Sequence, residues 1–166
     1  MTSRDAEISL RPVQADDREM IFRWRNAPFI LSHGSSNREV SWAEHCKWFD
    51  ETLRESNRKL FVIQNKNAPI GQVRFDRQNQ RECVISAYLL REFTGHGWGV
   101  EAIREACKAI LDAWDVESVI ACVRKDNPGG RSAFLKAGFE SMDADVCPAH
   151  HYSLVLRSPV RQSASH

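Results

Sequence analysis

The amino-acid sequence predicts a mixed α/β domain. Three observations indicate this class. Strand-like apolar or alternating runs interchange with segments of helical apolar spacing, a glycine-rich loop joins a strand to a long helix, and the 166 residues suit one domain with its own core. We therefore expect a single domain over residues 1–157 and a polar C-terminal tail over residues 158–166.

The composition excludes several classes of function. Lys and Arg together number 23 and Asp and Glu together number 22, so the chain has no general attraction to nucleic acid or to an anionic membrane. No stretch approaches the run of about 18 apolar residues that a membrane-spanning helix needs, and the polar first residues are not those of a signal peptide. We expect a cytoplasmic protein that binds neither nucleic acid nor a membrane.

The cysteines and histidines predict no metal site. The chain has five cysteines, an odd number, widely spaced and without a C-x-x-C pair: Cys46, Cys83, Cys107, Cys122 and Cys147. This pattern favours small buried hydrophobic residues over a disulfide framework or a zinc site. His150 and His151 are adjacent, and adjacent residues of a strand point to opposite faces, so we assign no metal.

One strand and one helix are predicted at the N-terminal end. Residues 8–11 alternate between apolar and polar side chains, which is typical of a strand, and Pro12 stops the strand. Acidic residues 16–17 then suit the start of a helix that runs through Asn26, and Pro28 ends that helix.

A second helix is predicted after a loop over residues 32–36. Ser41 and Glu44 have the spacing of a capping box, in which each side chain bonds to the other residue's backbone. The helix then reaches nearly to Asn57. Its expected apolar stripe is Cys46, Phe49 and Leu53.

The middle of the chain predicts strands. Residues 60–63 and residues 70–75 are apolar runs separated by a turn over residues 65–67, so they form a hairpin. A further strand covers residues 83–90. The long helix that begins at Gly99 follows, with apolar side chains at helical spacing: Ile103, Ala106, Cys107, Ile110, Leu111 and Trp114.

The C-terminal part completes the predicted order β, α, α, β, β, β, α, β, α, β, β. Residues 119–123 are almost continuously apolar, as in a strand buried on both faces. Residues 127–128, Asn-Pro, open a short helix that ends at Gly138. Two strands follow, one beginning at Phe139 and one over residues 152–156.

The loop over residues 94–99, Thr-Gly-His-Gly-Trp-Gly, indicates a phosphate site. Glycines adopt positive φ readily and leave backbone N–H groups open, and the start of the following helix adds unpaired donors and partial positive charge. A Walker A loop is excluded because Gly99 precedes Val100 and Glu101 rather than Lys and Ser or Thr. A Rossmann fingerprint from Gly95 would need glycine at Val100.

The loop agrees better with the acetyl-CoA motif, in which Arg or Gln is followed by two residues, Gly, one residue, and Gly or Ala. Gly97 and Gly99 match this pattern, and Thr94 departs from it. Residues 127–139, from Asn-Pro to Gly-Phe, match a second segment of the same family. With the order of elements over residues 7–157, these motifs resemble the GNAT N-acetyltransferase superfamily.

The resemblance implies a fold and a cosubstrate. The fold is a single mixed, largely antiparallel sheet, whose central parallel strands, the fourth and fifth, splay apart, flanked by about four helices. The cosubstrate is acetyl-CoA, with pantetheine lying between the parted strands and pyrophosphate on the glycine loop. The residues implied to bind it are Leu89, Leu90, Gly95, His96, Gly97, Trp98, Gly99, Val100, Asn127, Arg131 and Phe134.

Attack of a neutral amine on a thioester needs orientation, a proton acceptor and stabilisation of the thioester oxygen. A strand N–H near Leu89 suits that oxygen. Where many family members have a tyrosine that protonates the departing thiolate, this chain has Phe134, so Tyr88, Ser132 or a water molecule would substitute. Glu82 and His45 are the candidate proton acceptors, with catalytic roles expected for Glu82 and Tyr88.

The acceptor amine is predicted from the first two helices. Residues 24–28, Trp-Arg-Asn-Ala-Pro, and the later Glu-His pair at residues 44–45 resemble the branch that acetylates nucleotide-linked amino sugars, such as the 4-amino sugar of pseudaminic acid synthesis. They also resemble ribosomal-protein alanine acetyltransferases. For a UDP-linked sugar, Arg25 would pair with the diphosphate while His45 and Tyr88 would contact the uracil or the sugar.

Three alternatives stay open at this point. In the first, the acceptor is an N-terminal alanine, another protein amine or a different small-molecule amine. In the second, the chain is a noncatalytic acetyl-CoA binding module. In the third, it is a plain protein-interaction domain. A homodimer is also possible, with Trp42 or Trp48 at the contact.

Overall fold

The computed structural model describes residues 6–34 and 38–159. In this part of the chain one seven-stranded mixed sheet, in the order β1-β2-β3-β4-β5-β7-β6, is flanked by five α-helices. The strands are β1 (Ile8–Pro12), β2 (Arg58–Asn65), β3 (Ala68–Arg77), β4 (Glu82–Leu89), β5 (Ser118–Arg124), β6 (Glu140–Ser141) and β7 (His151–Arg157). The helices are α1 (Arg18–Arg25), α2 (Pro28–His33), α3 (Trp42–Arg54), α4 (Trp98–Trp114) and α5 (Pro128–Lys136).

The sheet has two covered faces, which we call the α4 face and the α3 face. On the α4 face, alternate strand residues such as Phe75, Ile85 and Ala121 form the main core with α4 and α5. On the α3 face a smaller apolar cluster joins α1 and α3 to β2: Ile21, Trp24, Phe49, Leu60 and Val62. The main core contains the buried residues of the predicted long helix, which confirms that prediction.

The sheet opens between β4 and β5, the only parallel pair among the described strands. These strands pair from Glu82 and Ser118 as far as Ile85 and Ala121. Beyond that point β4 continues to Leu89 without a β5 partner. We call this opening the gap; it confirms the splayed parallel strands expected from the sequence.

The N-terminal helices differ from the prediction. Helix α1 begins at Arg18, directly after the predicted acidic residues, with Asp17 as its N-cap residue. The buried Asp17 carboxylate does not cap the helix, and instead accepts two hydrogen bonds from Arg11, at 2.7 and 2.8 Å. Pro28 ends α1 as expected but also begins α2, because proline is tolerated in the first turn of a helix. Residues 32–33 therefore lie in α2 rather than in a loop, and residues 35–36 of the expected loop fall outside the described residues.

Helix α3 begins as predicted, since Ser41 Oγ accepts from the N–H of Glu44 at 3.1 Å. The Glu44 carboxylate accepts a hydrogen bond from Arg38 at 3.0 Å. It therefore does not make the second bond of the expected capping box, in which it would accept from the backbone N–H of Ser41. The expected apolar stripe was wrong in part. Phe49 is buried, but Leu53 is 40% exposed and the other buried positions are His45 and Thr52.

The cysteine prediction was also wrong in part. Cys83 and Cys107 are buried free thiols as expected, whereas Cys122 of β5 and Cys147 form a disulfide with Cα atoms 5.5 Å apart. Sequence spacing does not show this pair, because only the sheet brings the segment before β7 back to β5.

The start of the C-terminal tail is packed rather than frayed. Ser158 is buried, and its N–H donates to the carbonyl of Glu117 at 2.8 Å. Residues 160–166 of the expected tail lie outside the described residues. Among the helices that the structure describes, none is both long and apolar enough to cross a membrane.

Candidate active site

The glycine loop ends at the N-terminus of α4. Gly95 and Gly97 have φ of +85° and +81°, a backbone conformation that strains other residues. Gly97 directly precedes α4, and its carbonyl accepts the N–H of Glu101 at 3.3 Å. The three residues between them, 98–100, therefore present first-turn N–H groups that have no partner within the helix. These donors suit an anion such as a diphosphate.

Side chains hold this loop in shape. His96 stacks on Trp98 with ring centroids 4.5 Å apart, and Phe93 lies 6.3 Å from the same indole. Thr94, which departs from the family motif, donates its hydroxyl to the carbonyl of Arg91 at 2.7 Å. The threonine therefore closes the preceding turn, and the backbone of the loop does not depend on an Arg or Gln at this position.

The free edge of β4 faces the gap. The N–H of Leu90 donates to the Ile70 carbonyl of β3 at 2.9 Å. Since backbone groups alternate sides along an antiparallel pair, the N–H of Leu89 points away from β3, toward the gap. Leu89 also lies against the start of α4, because a Cβ on Gly99 would meet its side chain at 3.6 Å. The structure thus brings Leu89, Leu90 and the glycine loop together.

The predicted cofactor residues of α5 have mainly structural contacts. Asn127 caps the helix, accepting the N–H of Gly130 at 3.0 Å, so its amide oxygen is occupied. The Arg131 guanidinium lies 4.7 Å from the centre of the Tyr152 ring. Phe134 is only 7% exposed and packs edge-on against Phe139 at 5.1 Å in the main core. A direct cofactor contact by Phe134 is therefore not supported by this position.

Tyr88 lies on the α3 face of β4, next to the gap. Its hydroxyl is buried and has no hydrogen-bond partner among the described residues. Burial raises the pKa of Tyr88 well above its ordinary value, so the phenol keeps its proton at neutral pH. The ring meets Trp24 edge-on at 6.4 Å. The phenol is thus next to the gap with its hydroxyl enclosed, and its catalytic role stays a prediction.

Three arginines surround one tryptophan on the same face, and we call Arg25, Arg58, Arg74 and Trp48 the arginine cluster. The guanidinium carbons lie 4.3, 5.6 and 5.7 Å from the centre of the indole, for Arg25, Arg58 and Arg74 respectively. Asp76 accepts from Arg58 at 2.7 Å and from Arg74 at 2.9 Å. Burial, and then repulsion by Arg74, lowers the pKa of Arg25.

His45 supports Arg25 and does not reach a ligand. The side chain is fully buried, at 0% exposure. Its Nε2 donates to the carbonyl of Arg18 at 2.8 Å, and its Nδ1 accepts from Arg25 at 3.1 Å. Burial lowers the pKa of His45, so the ring is neutral. The predicted roles of His45 as a substrate contact and a proton acceptor were therefore wrong, because both nitrogens are occupied.

Glu82 lies at the wrong end of β4 for its predicted catalytic role. It pairs with Ser118 at the closed end of the parallel pair, seven residues along β4 from Leu89. Its carboxylate accepts from Asn79 at 3.2 Å. At about 3.3 Å per residue, this distance along the strand separates Glu82 from the gap.

Sequence reasoning missed the other members of the arginine cluster. Arg74 and Asp76 flank the apolar Phe75 on β3, and Arg58 of β2 lies opposite Asp76, so the three side chains share one face of the sheet. This alternation of charged and apolar residues along β3 was the signal in the sequence that could have identified them. Trp48 gave none, because a tryptophan near the middle of a helix is equally compatible with the core.

Comparisons with known proteins agree with this geometry. The family described as Acetyltransferase (GNAT) domain matches residues 7–140. Acetyltransferase PseH of Campylobacter jejuni subsp. jejuni serotype O:2 is 24% identical over 133 residues, which are 80% of this chain and 83% of the relative.

Two solved structures share the fold. The crystal structure of Campylobacter jejuni N-acetyltransferase PseH in complex with acetyl coenzyme A has a TM-score of 0.69 and 21% identity, covering 92% of this chain and 99% of that one. Spermidine N-acetyltransferase from Vibrio cholerae, in complex with CoA and spermine, has a TM-score of 0.79 and 16% identity, covering 90% of this chain and 95% of that one. These similarities confirm the fold expected from the sequence.

Proposed function

The chain belongs to the GNAT acetyltransferase family, and from this we propose that it transfers the acetyl group of acetyl-CoA to the primary amine of a nucleotide-linked amino sugar. The observation that carries the choice of acceptor is the arginine cluster, which lies beside the gap on the α3 face. The relationship to PseH, at 24% identity, supports the same branch of the family.

The α4 face suits the acetyl donor. The N-terminus of α4 presents backbone donors for a diphosphate, and the unpaired edge of β4 offers backbone groups to an extended chain such as pantetheine. Acetyl-CoA supplies an acetyl thioester with both of these parts. We propose that the N–H of Leu89, which faces the gap, stabilises negative charge on the thioester oxygen.

The α3 face is then the side from which the acceptor arrives. Arg74 of β3 lies directly opposite Ser86 of β4, and Ser86 is the first β4 residue beyond the last pair with β5. The arginine cluster therefore begins one strand away from the gap, a separation of about 5 Å between neighbouring strands.

The charges in the cluster favour an anionic acceptor. Asp76 is shared by Arg58 and Arg74, while Arg25 bonds to a neutral histidine, so the three guanidinium groups around Trp48 have one directly bonded carboxylate among them. Phosphate oxygens would relieve the repulsion among the guanidinium groups and accept their hydrogen bonds. A polyamine would add positive charge to the same place. A nucleotide diphosphate next to an amino sugar supplies both the anion and the amine.

The test measures CoA thiol release from acetyl-CoA with three amines: a UDP-linked amino sugar, a peptide with N-terminal alanine, and spermidine. We expect the highest kcat/KM with the UDP-linked sugar. Arg25→Gln and Arg74→Gln should each raise its KM about tenfold or more, since a hydrogen bond to a charged group contributes about 1.5–3 kcal/mol.

Arg23→Gln is the matched control, because Arg23 is exposed on the same helix as Arg25 and its removal changes the charge equally. We expect its KM to stay within about twofold of the wild type, as is usual for exposed surface positions. Rapid acetylation of the peptide with no turnover of any UDP-linked amino sugar would contradict the proposed acceptor.

A further inference from the structure

A disulfide borders the gap on the β5 side. Cys122 of β5 is bonded to Cys147, which lies between β6 and β7. Cys122 directly follows Ala121, the last residue of β5 that pairs with β4. Since β5 is the neighbour of β4 in the sheet, Cys122 lies at the edge of the gap itself. The disulfide is therefore located where the two strands begin to part.

The side chain of Cys122 is on the α3 face. Ala121 and Val123 belong to the main core on the α4 face, and neighbouring residues of a strand point to opposite faces. Continuing the parallel register of Ile85 and Ala121 by one residue places Cys122 level with Ser86. The disulfide thus lies on the same face as the arginine cluster.

The arginine cluster and the disulfide are on opposite sides of β4. Arg74 of β3 is directly opposite Ser86 of β4, so Cys122 is level with Arg74 and two strands away from it. At the usual spacing of neighbouring strands this separation is about 10 Å. An acceptor that is held by the arginine cluster and places its amine at the gap would therefore meet the disulfide on the far side.

The disulfide holds an exposed stretch of chain. We call residues 142–150, between β6 and β7, the tethered segment. Its ends are fixed by backbone hydrogen bonds of 2.9 Å at Met142 and at His150. Every residue from 143 to 150 other than Cys147 is exposed. With so little buried surface, the position of the middle of the segment depends on the disulfide.

The same disulfide is accessible to a reductant. Cys122 and Cys147 are both half-buried, and thiols reduce exposed disulfides most readily because the attacking thiolate must reach a sulfur. The main core, with the free thiols Cys83 and Cys107, lies on the other face of the sheet. We therefore expect the fold to survive reduction while the tethered segment is released.

We propose that the disulfide and the tethered segment form the wall of the acceptor site opposite the arginine cluster, and that reduction of the disulfide lowers the affinity for the acceptor. A dithiol supplies the two electrons and two protons. Its first thiolate displaces one cysteine sulfur, its second displaces the other, and the dithiol becomes a disulfide while Cys122 and Cys147 become thiols. This inference rests on the proposed function in placing the acceptor on the α3 face.

Binding of the acetyl donor should not change with reduction. The proposed site for its diphosphate is the N-terminus of α4, and the backbone groups proposed for pantetheine belong to β4. Neither element contains a residue of the disulfide. We expect the Kd of acetyl-CoA to stay within about twofold, as is usual for changes away from a site.

The test compares the oxidised protein with protein reduced by dithiothreitol and then desalted without oxygen. Titration of the denatured samples should give three thiols before reduction and five after it. The acetylated product of the amine that the wild type acetylates fastest is measured by mass spectrometry. We expect reduction to raise the KM of this amine about tenfold, as when about a tenth of the molecules keep the competent arrangement.

Cysteine variants show whether this disulfide causes the effect. Cys122→Ser and Cys147→Ser should each have the raised KM without any reductant and should not respond to dithiothreitol. Cys46→Ser, at a half-buried free thiol, is the matched control and should respond as the wild type does. The Kd of acetyl-CoA, measured by calorimetry, reports whether each sample is folded. An unchanged KM on reduction, or equal weakening of both substrates, would overturn the proposal.

The choice of amine keeps this result distinct from the proposed function. If the best acceptor is a peptide, the sugar proposal fails while the effect of reduction is measured with that peptide. If a UDP-linked amino sugar is best and its KM does not respond to reduction, only the present proposal fails. If neither form acetylates any amine, calorimetry with UDP decides, and an equal Kd in both forms overturns the role of the disulfide.

Discussion

The position of Arg25 depends on its hydrogen bond to the neutral ring of His45. His45 accepts from Arg25 at 3.1 Å only while its Nδ1 is unprotonated, and its Nε2 is already committed to the Arg18 carbonyl. The guanidinium carbon of Arg25 lies over the Trp48 ring, 4.3 Å from its centre. A protonated His45 would lose this bond and would face two arginines, so both the fold and the arginine cluster depend on its neutral form.

This predicts a loss of stability in acid. Burial lowers the pKa of His45 below its ordinary value of about 6.5, and the charges of Arg18 and Arg25 act in the same direction. The unfolded chain therefore takes up the proton first as the pH falls. The contribution is complete above about pH 6.5 and is lost progressively toward the lower pKa of the folded state.

The measurement is the free energy of unfolding in urea at pH 7.5 and pH 5.0. His45→Gln should show a smaller difference between the two pH values than the wild type, because it has no imidazole to protonate. His33→Gln, at an exposed histidine of α2, should behave as the wild type. An identical pH dependence in His45→Gln and the wild type would contradict the prediction.

Local chemistry decides which residue roles could be predicted. Gly97 was identifiable because a helix start with positive φ needs glycine, and Asn127 because Asn-Pro suits the beginning of a helix. The roles of Glu82 and His45 were not, since they depend on which end of a strand and which side of a helix face the gap. Neither fact is fixed by neighbouring residues in the sequence.

At the scale of elements, the approach of β3 to β4 fixes the edge of the gap. Gly71 lies opposite Leu89, and a Cβ at this position would overlap the backbone of β4 at the Tyr88 carbonyl and the Leu89 Cα. Any other residue would push β4 away from β3 next to the N–H proposed to contact the thioester.

Gly71→Ala should therefore destabilise the protein by about 1–3 kcal/mol, the usual cost of overpacking, and weaken acetyl-CoA binding. Urea unfolding and calorimetry measure the two effects. Gly129→Ala is the control, because its Cβ would meet only Asn127 Oδ1 at 3.9 Å and it has no positive φ. Equal stability of the two variants would show that β4 tolerates the displacement.

Elements with strong periodicity were predictable, and short ones were not. The hairpin of β2 and β3 and the long helix α4 have apolar patterns that only one type of element satisfies. Helix α2 has only six residues, and Pro28 was interpreted as the end of one helix although it also begins the next. A proline gives the boundary without saying on which side the helix lies.

At the scale of the whole molecule, the disulfide ties the segment before β7 to the gap. Cys122 follows Ala121, the last β5 residue that pairs with β4, so the bond to Cys147 lies beside the point where the strands part. The two cysteines are 25 residues apart in sequence. Closing a loop of this length restricts the unfolded chain.

Reduction, or Cys147→Ser, should lower the free energy of unfolding by about 2–4 kcal/mol. Urea unfolding with and without dithiothreitol measures this difference. Cys46→Ser, at a half-buried free thiol, is the control and should respond to the reductant as the wild type does. Titration of five free thiols in the unreduced, denatured protein would contradict the disulfide.

The overall topology could be predicted largely because a family resemblance supplied it. Composition and periodicity gave the class and the order of most elements, but strand neighbours that are distant in sequence, such as β5 and β7, are determined by tertiary packing. The disulfide and the arginine cluster depend on those same neighbours. They therefore became visible only with the structure.

The opening in the sheet has a consequence for the order of events. The proposed sites for the donor and the acceptor lie on opposite faces of the sheet and meet only at the gap, so each ligand binds from its own face. On the proposed assignment neither has to depart before the other arrives, and the acetyl group passes directly from donor to acceptor without an acetylated side chain.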